Sequence, residues 1–155
     1  MPEWLTGAVV ALVAVAAATG LGLWWRRRNG RIRELPAGTD PALGAPDQRV
    51  LLELGVRPGV PATLLQFSSA FCAPCRATRR ICTDVAAMLD GVRHVEVDAE
   101  HHLDAVRALG VLRTPTLFVI DAHGRVVRRA SGQPTKAHVI ASVAPLLEPG
   151  AGRPG

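Results

Sequence analysis

The sequence predicts an α/β domain carried behind a single N-terminal membrane-spanning helix, and three observations predict it. The first is a 22-residue run from Trp4 to Trp25 that contains no charged residue. The second is an alternation, beyond residue 49, of strand-length apolar runs with segments whose apolar residues recur at helical spacing. The third is Phe71-Cys72-Ala73-Pro74-Cys75-Arg76, where two cysteines three positions apart stand between one such strand and the helix after it. At 155 residues the chain has room for one modest core behind the apolar run.

As a helix, residues 4–25 extend about 33 Å at 1.5 Å per residue, against a hydrocarbon core of roughly 30 Å. Trp4 at one end and Trp24-Trp25 at the other are placed as interfacial anchors, and Arg26-Arg27-Arg28 follows at once. A core helix of this length would carry a polar face, and none is visible. A cleaved signal peptide would need positive charge before its apolar core, and Met1-Pro2-Glu3 supplies none. The expectation is an uncleaved single-pass anchor in the cell membrane, with the lipid bilayer as a partner. Basic residues after the helix place the following domain in the cytoplasm by the positive-inside rule.

Residues 26–48 are rich in Arg, Gly, Pro and Ala without hydrophobic periodicity and read as a flexible linker. The folded domain is expected at 49–147 and a disordered tail at 148–155. Arg49 to Val56 is apolar and short, open to either strand or helix. Gly55 to Pro61 separates it from a compact apolar strand, Ala62 to Phe67. A helix is expected at about 73–90, with Ala77, Ile81, Val85, Met88 and Leu89 on its apolar face and Pro74 in its first turn, where a missing amide hydrogen loses no partner. A strand at Val92 to Asp98 follows, then a helix at His102 to Leu109 that Asp98 or Glu100 is placed to cap and Gly110 to end. Thr116 to Ile120 reads as a central strand buried on both faces. Asp121-Ala122-His123-Gly124 is a hairpin signal leading to an edge strand at Arg125 to Ala130. Val139, Ile140, Val143, Leu146 and Leu147 mark a last helix, which Pro145 should kink or end early.

The cysteine pair carries the chemistry. One helical turn brings residues i and i+3 onto one face. The first turn also presents unpaired amides and the positive end of the helix dipole, which favour thiolate over thiol. A cysteine thiol near 8.5 falls to roughly 3.5 to 7.5 in such surroundings, so Cys72 would be a nucleophile near neutral pH. A CxxC beside an α/β pattern reads as a redox motif.

The order strand, CxxC, helix, strand, helix, Thr114-Pro115, β-hairpin, helix resembles the thioredoxin family over residues 49–147. Three matches carry the resemblance: Phe67 five positions before Cys72, the Cys72-Ala73-Pro74-Cys75-Arg76 core, and Val111-Leu112-Arg113-Thr114-Pro115-Thr116 about 40 residues on. Gly132 also sits where the family tends to keep a glycine beside the substrate groove. The resemblance implies a three-layer α/β/α sandwich with a mixed central sheet. It implies a cis bond at Thr114-Pro115, and catalytic roles for Cys72 as nucleophile and Cys75 as resolving thiol. It implies substrate contacts from Phe71, Ala73, Pro74, Thr114 and Pro115, and no cofactor beyond the redox-active Cys72–Cys75 disulfide. The implied partners are disulfide-containing proteins and an upstream dithiol donor, a thioredoxin reductase or a membrane thiol relay. Pro74 between the cysteines resembles the reducing branch of the family.

Three residues depart from that pattern. Gln66 stands where the family often has a buried acid, and an amide cannot take a proton from Cys75; slower resolution is the simpler expectation, with Glu96 or Asp98 on the next strand, acting through water, as the alternative. Phe71 replaces a common tryptophan, and Ala73 the usual glycine. The primary reading is therefore a membrane-anchored protein-disulfide reductase. Two others stay open: an extracytoplasmic thiol oxidant, isomerase or cytochrome-maturation reductase, and a non-catalytic binding module of the same fold.

The remaining candidates have plainer readings. Cys82 reads as a core thiol, with a regulatory thiol as the competitor. No histidine shares metal-ligand spacing with the CxxC, so no metal site is expected. The pI near 10.4 comes from 17 Arg and one Lys scattered along the chain, clustered only at 26–33, where anionic lipid explains them; no nucleic-acid partner is expected. Arg76, Arg79 and Arg80 on the active-site helix are placed either to raise the local positive potential or to form a solvated face.

Overall fold

The computed structural model describes residues 3–28, 31–34 and 48–148. Helix α1 spans Glu3–Arg28, three residues beyond the expected end, and Trp4–Trp24 within it has a mean hydropathy of 2.0 with every side chain exposed. By length and composition it is a candidate membrane span. The side chains of Trp25 and the Arg26-Arg27-Arg28 cluster lie outside the described residues, as do residues 35–47 of the expected linker and 149–155 of the expected tail.

Part of the stretch read as linker is strand. Ile32–Glu34 forms β1, antiparallel to Val126–Ser131, β5, with Ile32 opposite Ala130. Consequently β5, expected at the edge of the sheet, has a neighbour on both sides. The segment left open between strand and helix is a helix, α2 at Gln48–Glu53, which buries Leu51. Ala62–Ser68 is β2, Val92–Asp98 is β3 and Thr116–Asp121 is β4, giving the order β1-β5-β4-β2-β3. Only the β2–β3 pair is parallel, so the sheet is mixed. β2 and β4 are buried at every position; the apolar run Thr116 to Ile120 predicts this for β4, while β2 also buries Thr63, Gln66 and Ser68.

Alternation along β2 and β4 builds the two cores. Leu65, Phe67, Phe118 and Ile120 face α2 and α4 (Leu103–Ala108), packing with Leu51, Leu54, Ala105 and Leu109. Ala62, Leu64, Leu117 and Val119 face α3 (Ala73–Met88) and α5 (Lys136–Leu147), packing with Cys82, Val85, Val139 and Val143. Helices on both faces of a mixed five-stranded sheet make the three-layer sandwich. Phe67 and Phe118 meet edge to face at 6.0 Å between centroids, and the Arg129 guanidinium lies 5.2 Å from the Phe118 ring centre.

Details of three helices differ from expectation. The buried face of α3 is Cys75, Thr78, Cys82 and Val85, while Met88 at its end is 57% exposed. Thr78 was hidden from a hydropathy reading because its hydroxyl is satisfied locally, donating to the Pro74 carbonyl at 3.0 Å. Neither Asp98 nor Glu100 caps α4: its N-cap is His102, and the Asp98 carboxylate instead accepts the Glu100 amide in the preceding turn. α5 continues two residues past Pro145, because a proline this close to the C-terminus disturbs only the final turn.

Candidate active site

The site forms where three chain segments converge at the end of β2. β2 delivers Ser68 to Phe71, and α3 then starts with Cys72 as its N-cap in extended backbone geometry (φ −93°, ψ 100°). Because β4 runs antiparallel to β2 with Phe67 opposite Thr116, the residues just before β4 lie beside the residues just after β2. That register brings Thr114 and Pro115 to the cysteines. Ser69 and Thr114 close the junction with a hydroxyl–hydroxyl bond of 3.1 Å, and the Thr114–Pro115 peptide is cis. Gly132, at φ +95°, donates its amide to the Pro115 carbonyl at 2.8 Å and ties the end of β5 to the same loop.

Cys72 and Cys75 are joined in a disulfide with Cα atoms 5.2 Å apart. The two sulfurs occupy different surroundings. Cys72 is partly exposed, whereas Cys75 is 2% exposed beneath it. The Cys72 sulfur accepts the Cys75 backbone amide at 3.1 Å, so the helix N-terminus is aimed at the sulfur that would carry negative charge. Phe71, next to Cys72 in the chain, is 99% exposed, and Leu112, two residues before Thr114, is 93% exposed. A groove lined by Pro74, Arg113, Thr114, Pro115, Gly132 and Gln133 leads away from it. Of the residues singled out from sequence, Pro74, Thr114 and Pro115 share this groove, and Phe71 and Ala73 flank the disulfide in an exposed position.

Gln66 is fully buried behind the pair. Its Nε2 donates to the Cys75 carbonyl at 3.0 Å, and its Oε1 lies 3.2 Å from His94 Nε2. His94 Nδ1 in turn lies 3.4 Å from the Thr83 hydroxyl, so a polar chain runs from the active-site helix through β2 and β3 back to that helix. Burial pushes the His94 imidazole down, against a weaker upward pull from Glu96. Glu96 accepts from Ser68 Oγ at 2.6 Å and from Arg79 Nη2 at 2.8 Å, and Arg79 Nε holds its other oxygen. Sequence reasoning named Glu96 and Arg79 separately and missed their pairing, along with Ser69, His94 and the exposure of Leu112. Strand alternation was the available signal: His94, Glu96 and Asp98 recur at every second position of β3, on one face of it.

Cys82 is fully buried and burial pushes its thiol up to about 12, which makes it a core residue. His101 pairs with Asp98 and His102 bonds the Asp98 carbonyl, and no group of three metal-ligating side chains exists among the described residues.

Residues 56–145 match the thioredoxin family profile. The chain belongs to the thioredoxin family. Solved structures agree at the level of fold. A mutant thioredoxin from Halobacterium salinarum is 18% identical with a TM-score of 0.52, covering 57% of this chain and 77% of its own. Chloroplastic thioredoxin z is 21% identical with a TM-score of 0.53, covering 64% of this chain and 88% of its own. A structure concerned with the thiol resolving mechanism of yeast mitochondrial 1-Cys peroxiredoxin via glutathione/thioredoxin systems is 14% identical with a TM-score of 0.52, covering 62% and 86%. No curated protein matches the chain in sequence. A thioredoxin fold with an asymmetric cysteine pair at disulfide distance is the equipment of a thiol–disulfide oxidoreductase.

Proposed function

We propose that this thioredoxin-family protein is a membrane-anchored reductase of protein disulfides. The observation that carries the reading is the asymmetry of the pair: Cys72 reaches solvent at a helix N-terminus, while Cys75 is buried beneath it. In the reduced protein the Cys72 thiolate attacks a substrate disulfide and one substrate thiolate leaves. Cys75 then loses its proton and attacks Cys72; the Cys72–substrate bond breaks, the Cys72–Cys75 bond forms, and the substrate has gained two electrons. The pair is the redox centre, and no bound cofactor enters the scheme. An extended substrate segment pairs with the Thr114 backbone in the groove lined by Pro74 and Pro115. A dithiol donor, a thioredoxin reductase or a membrane thiol relay, returns Cys72 and Cys75 to the reduced state.

The anchor reading rests on α1, whose apolar side chains from Trp4 to Trp24 are all exposed, an arrangement that costs free energy in water and gains it in lipid. Arg26-Arg27-Arg28 after it supports a cytoplasmic domain. Cys75→Ser in the full-length protein is expected to hold Cys72 in a mixed disulfide with its partner, visible as a higher-mass band that dithiothreitol dissolves. Recovery of no such adduct from cells, with Cys72 alkylatable throughout, sinks the reading of a protein substrate.

A further inference from the structure

Resolution requires Cys75 to lose a proton in a place that is 2% exposed. Gln66, the polar group behind it, has no titrating proton, and both ends of its amide are engaged, by Cys75 O and by His94. One strand over, the residue directly beside Gln66 in the parallel β2–β3 register is Glu96. Parallel in-register neighbours point to the same face, so this carboxylate stands under α3 as Gln66 does. A cavity of about 380 Å³ is lined by both Glu96 and Cys75, together with Ser68, Ser69, Arg79 and Asp98 among others. It is polar and roomy enough for water. Asp98, the other carboxylate there, bonds the Glu100 amide and His101, whereas Glu96 bonds the Ser68 hydroxyl, which lines the same cavity as Cys75.

We propose that Glu96 is the proton acceptor for Cys75, standing one strand away from the position where an acid is missing. The inference rests on the thiol-exchange reading above. The Cys75 thiol proton passes through the Ser68 hydroxyl or a cavity water to a Glu96 oxygen. The freed sulfur electron pair attacks Cys72 and expels the substrate thiolate, which takes a proton from solvent as Glu96 releases its own. Arg79, Arg76 and the Cys82 thiol face Glu96 from α3, Ser68 from β2, and His94 and Asp98 from its own strand. Burial pushes the Glu96 carboxyl up, but the Arg79 and Ser68 hydrogen bonds and nearby positive charge outweigh it and hold the group below the usual carboxylate range. It is therefore ionised and ready at neutral pH, though a weak base, and resolution should be the slow step.

The test uses the reduced full-length protein in detergent with dithionitrobenzoate, which releases one coloured thiolate on attack by Cys72 and a second on resolution by Cys75. Glu96→Gln is expected to slow the second phase on the order of 10²-fold near neutral pH and the first by less than about twofold. The deficit should shrink at alkaline pH, where hydroxide replaces the carboxylate, and Glu96→Asp should recover part of the rate. A second phase in Glu96→Gln that follows the wild type across the pH range overturns the inference, and so does equal slowing of both phases, the mark of a structural defect. Wild-type protein that gives no first phase overturns the thiol-exchange reading itself.

Discussion

Gln66 Nε2 donates to the carbonyl oxygen of Cys75 at 3.0 Å, so the buried cysteine is tied to the central strand of the sheet through its backbone. The bond anchors the first turn of α3, where the Cys75 amide points at the Cys72 sulfur. A carboxylate at this position would have no hydrogen to offer the carbonyl unless protonated. An amide holds the helix at every pH, and it does so by giving up proton exchange with Cys75.

Replacing Gln66 by Leu tests that anchor. The Cys75 carbonyl and His94 each lose a buried partner, and each such loss costs about 1–3 kcal/mol. The expected outcome is a variant destabilised by a few kcal/mol in urea unfolding, with the same denaturant slope. An unchanged midpoint would show that the chain through Gln66 contributes nothing to holding α3.

Stability should fall on mild acidification because of His94. Its folded value is lowered by burial, so below about 6.5 the unfolded chain takes up a proton that the folded protein refuses. The stabilisation is complete above that pH and is lost as pH falls towards the folded value. Gln66, Thr83, Glu96 and Arg79 are the groups around the ring. Glu96 and Asp98, both held below their ordinary range, act in the same direction but in a lower window, below about pH 4.5. Unfolding midpoints measured from pH 8 downward should decline in two stages, and His94→Gln should remove the upper one. A wild-type curve that is flat between pH 7 and 5 would contradict the assignment.

Cysteine labelling should separate all three thiols. The oxidised native protein is expected to take up no maleimide, since Cys72 and Cys75 are paired and Cys82 is fully buried with its thiol pushed up to about 12. After reduction Cys72 should react first and Cys75 much more slowly, with Cys82 labelled only on denaturation. Mass spectrometry that finds Cys82 modified in the folded protein would remove it from the core and reopen a regulatory role.

Much of the molecule was legible in the chain because the signals are local. An uncharged 22-residue run needs no neighbour to mark a candidate membrane span. β2 and β4 declare themselves as compact, mostly apolar runs of strand length, and the cysteine spacing with Pro74 places the redox pair on the opening turn of a helix. Other features were illegible for a physical reason. Ile32–Glu34 has no apolar alternation of its own and is a strand only because β5 offers an unpaired edge, where Arg128 also reaches Glu34 at 2.8 Å. Met88, expected on the apolar face, is exposed, and Thr78 is buried, since hydropathy cannot see that Thr78 satisfies its hydroxyl on its own helix.

The redox pair, the elements that carry it and the apolar helix ahead of them are readable from the chain, because each depends on residues adjacent in it. Tertiary structure alone decided what surrounds the pair: the Thr114–Ser69 contact, the burial of Cys75 against Gln66, and the Ser68–Glu96–Arg79 cluster beside it. Those contacts join residues 9 to 45 positions apart. They exist because β2 pairs in parallel with β3 and antiparallel with β4, and strand register is a property of the assembled sheet.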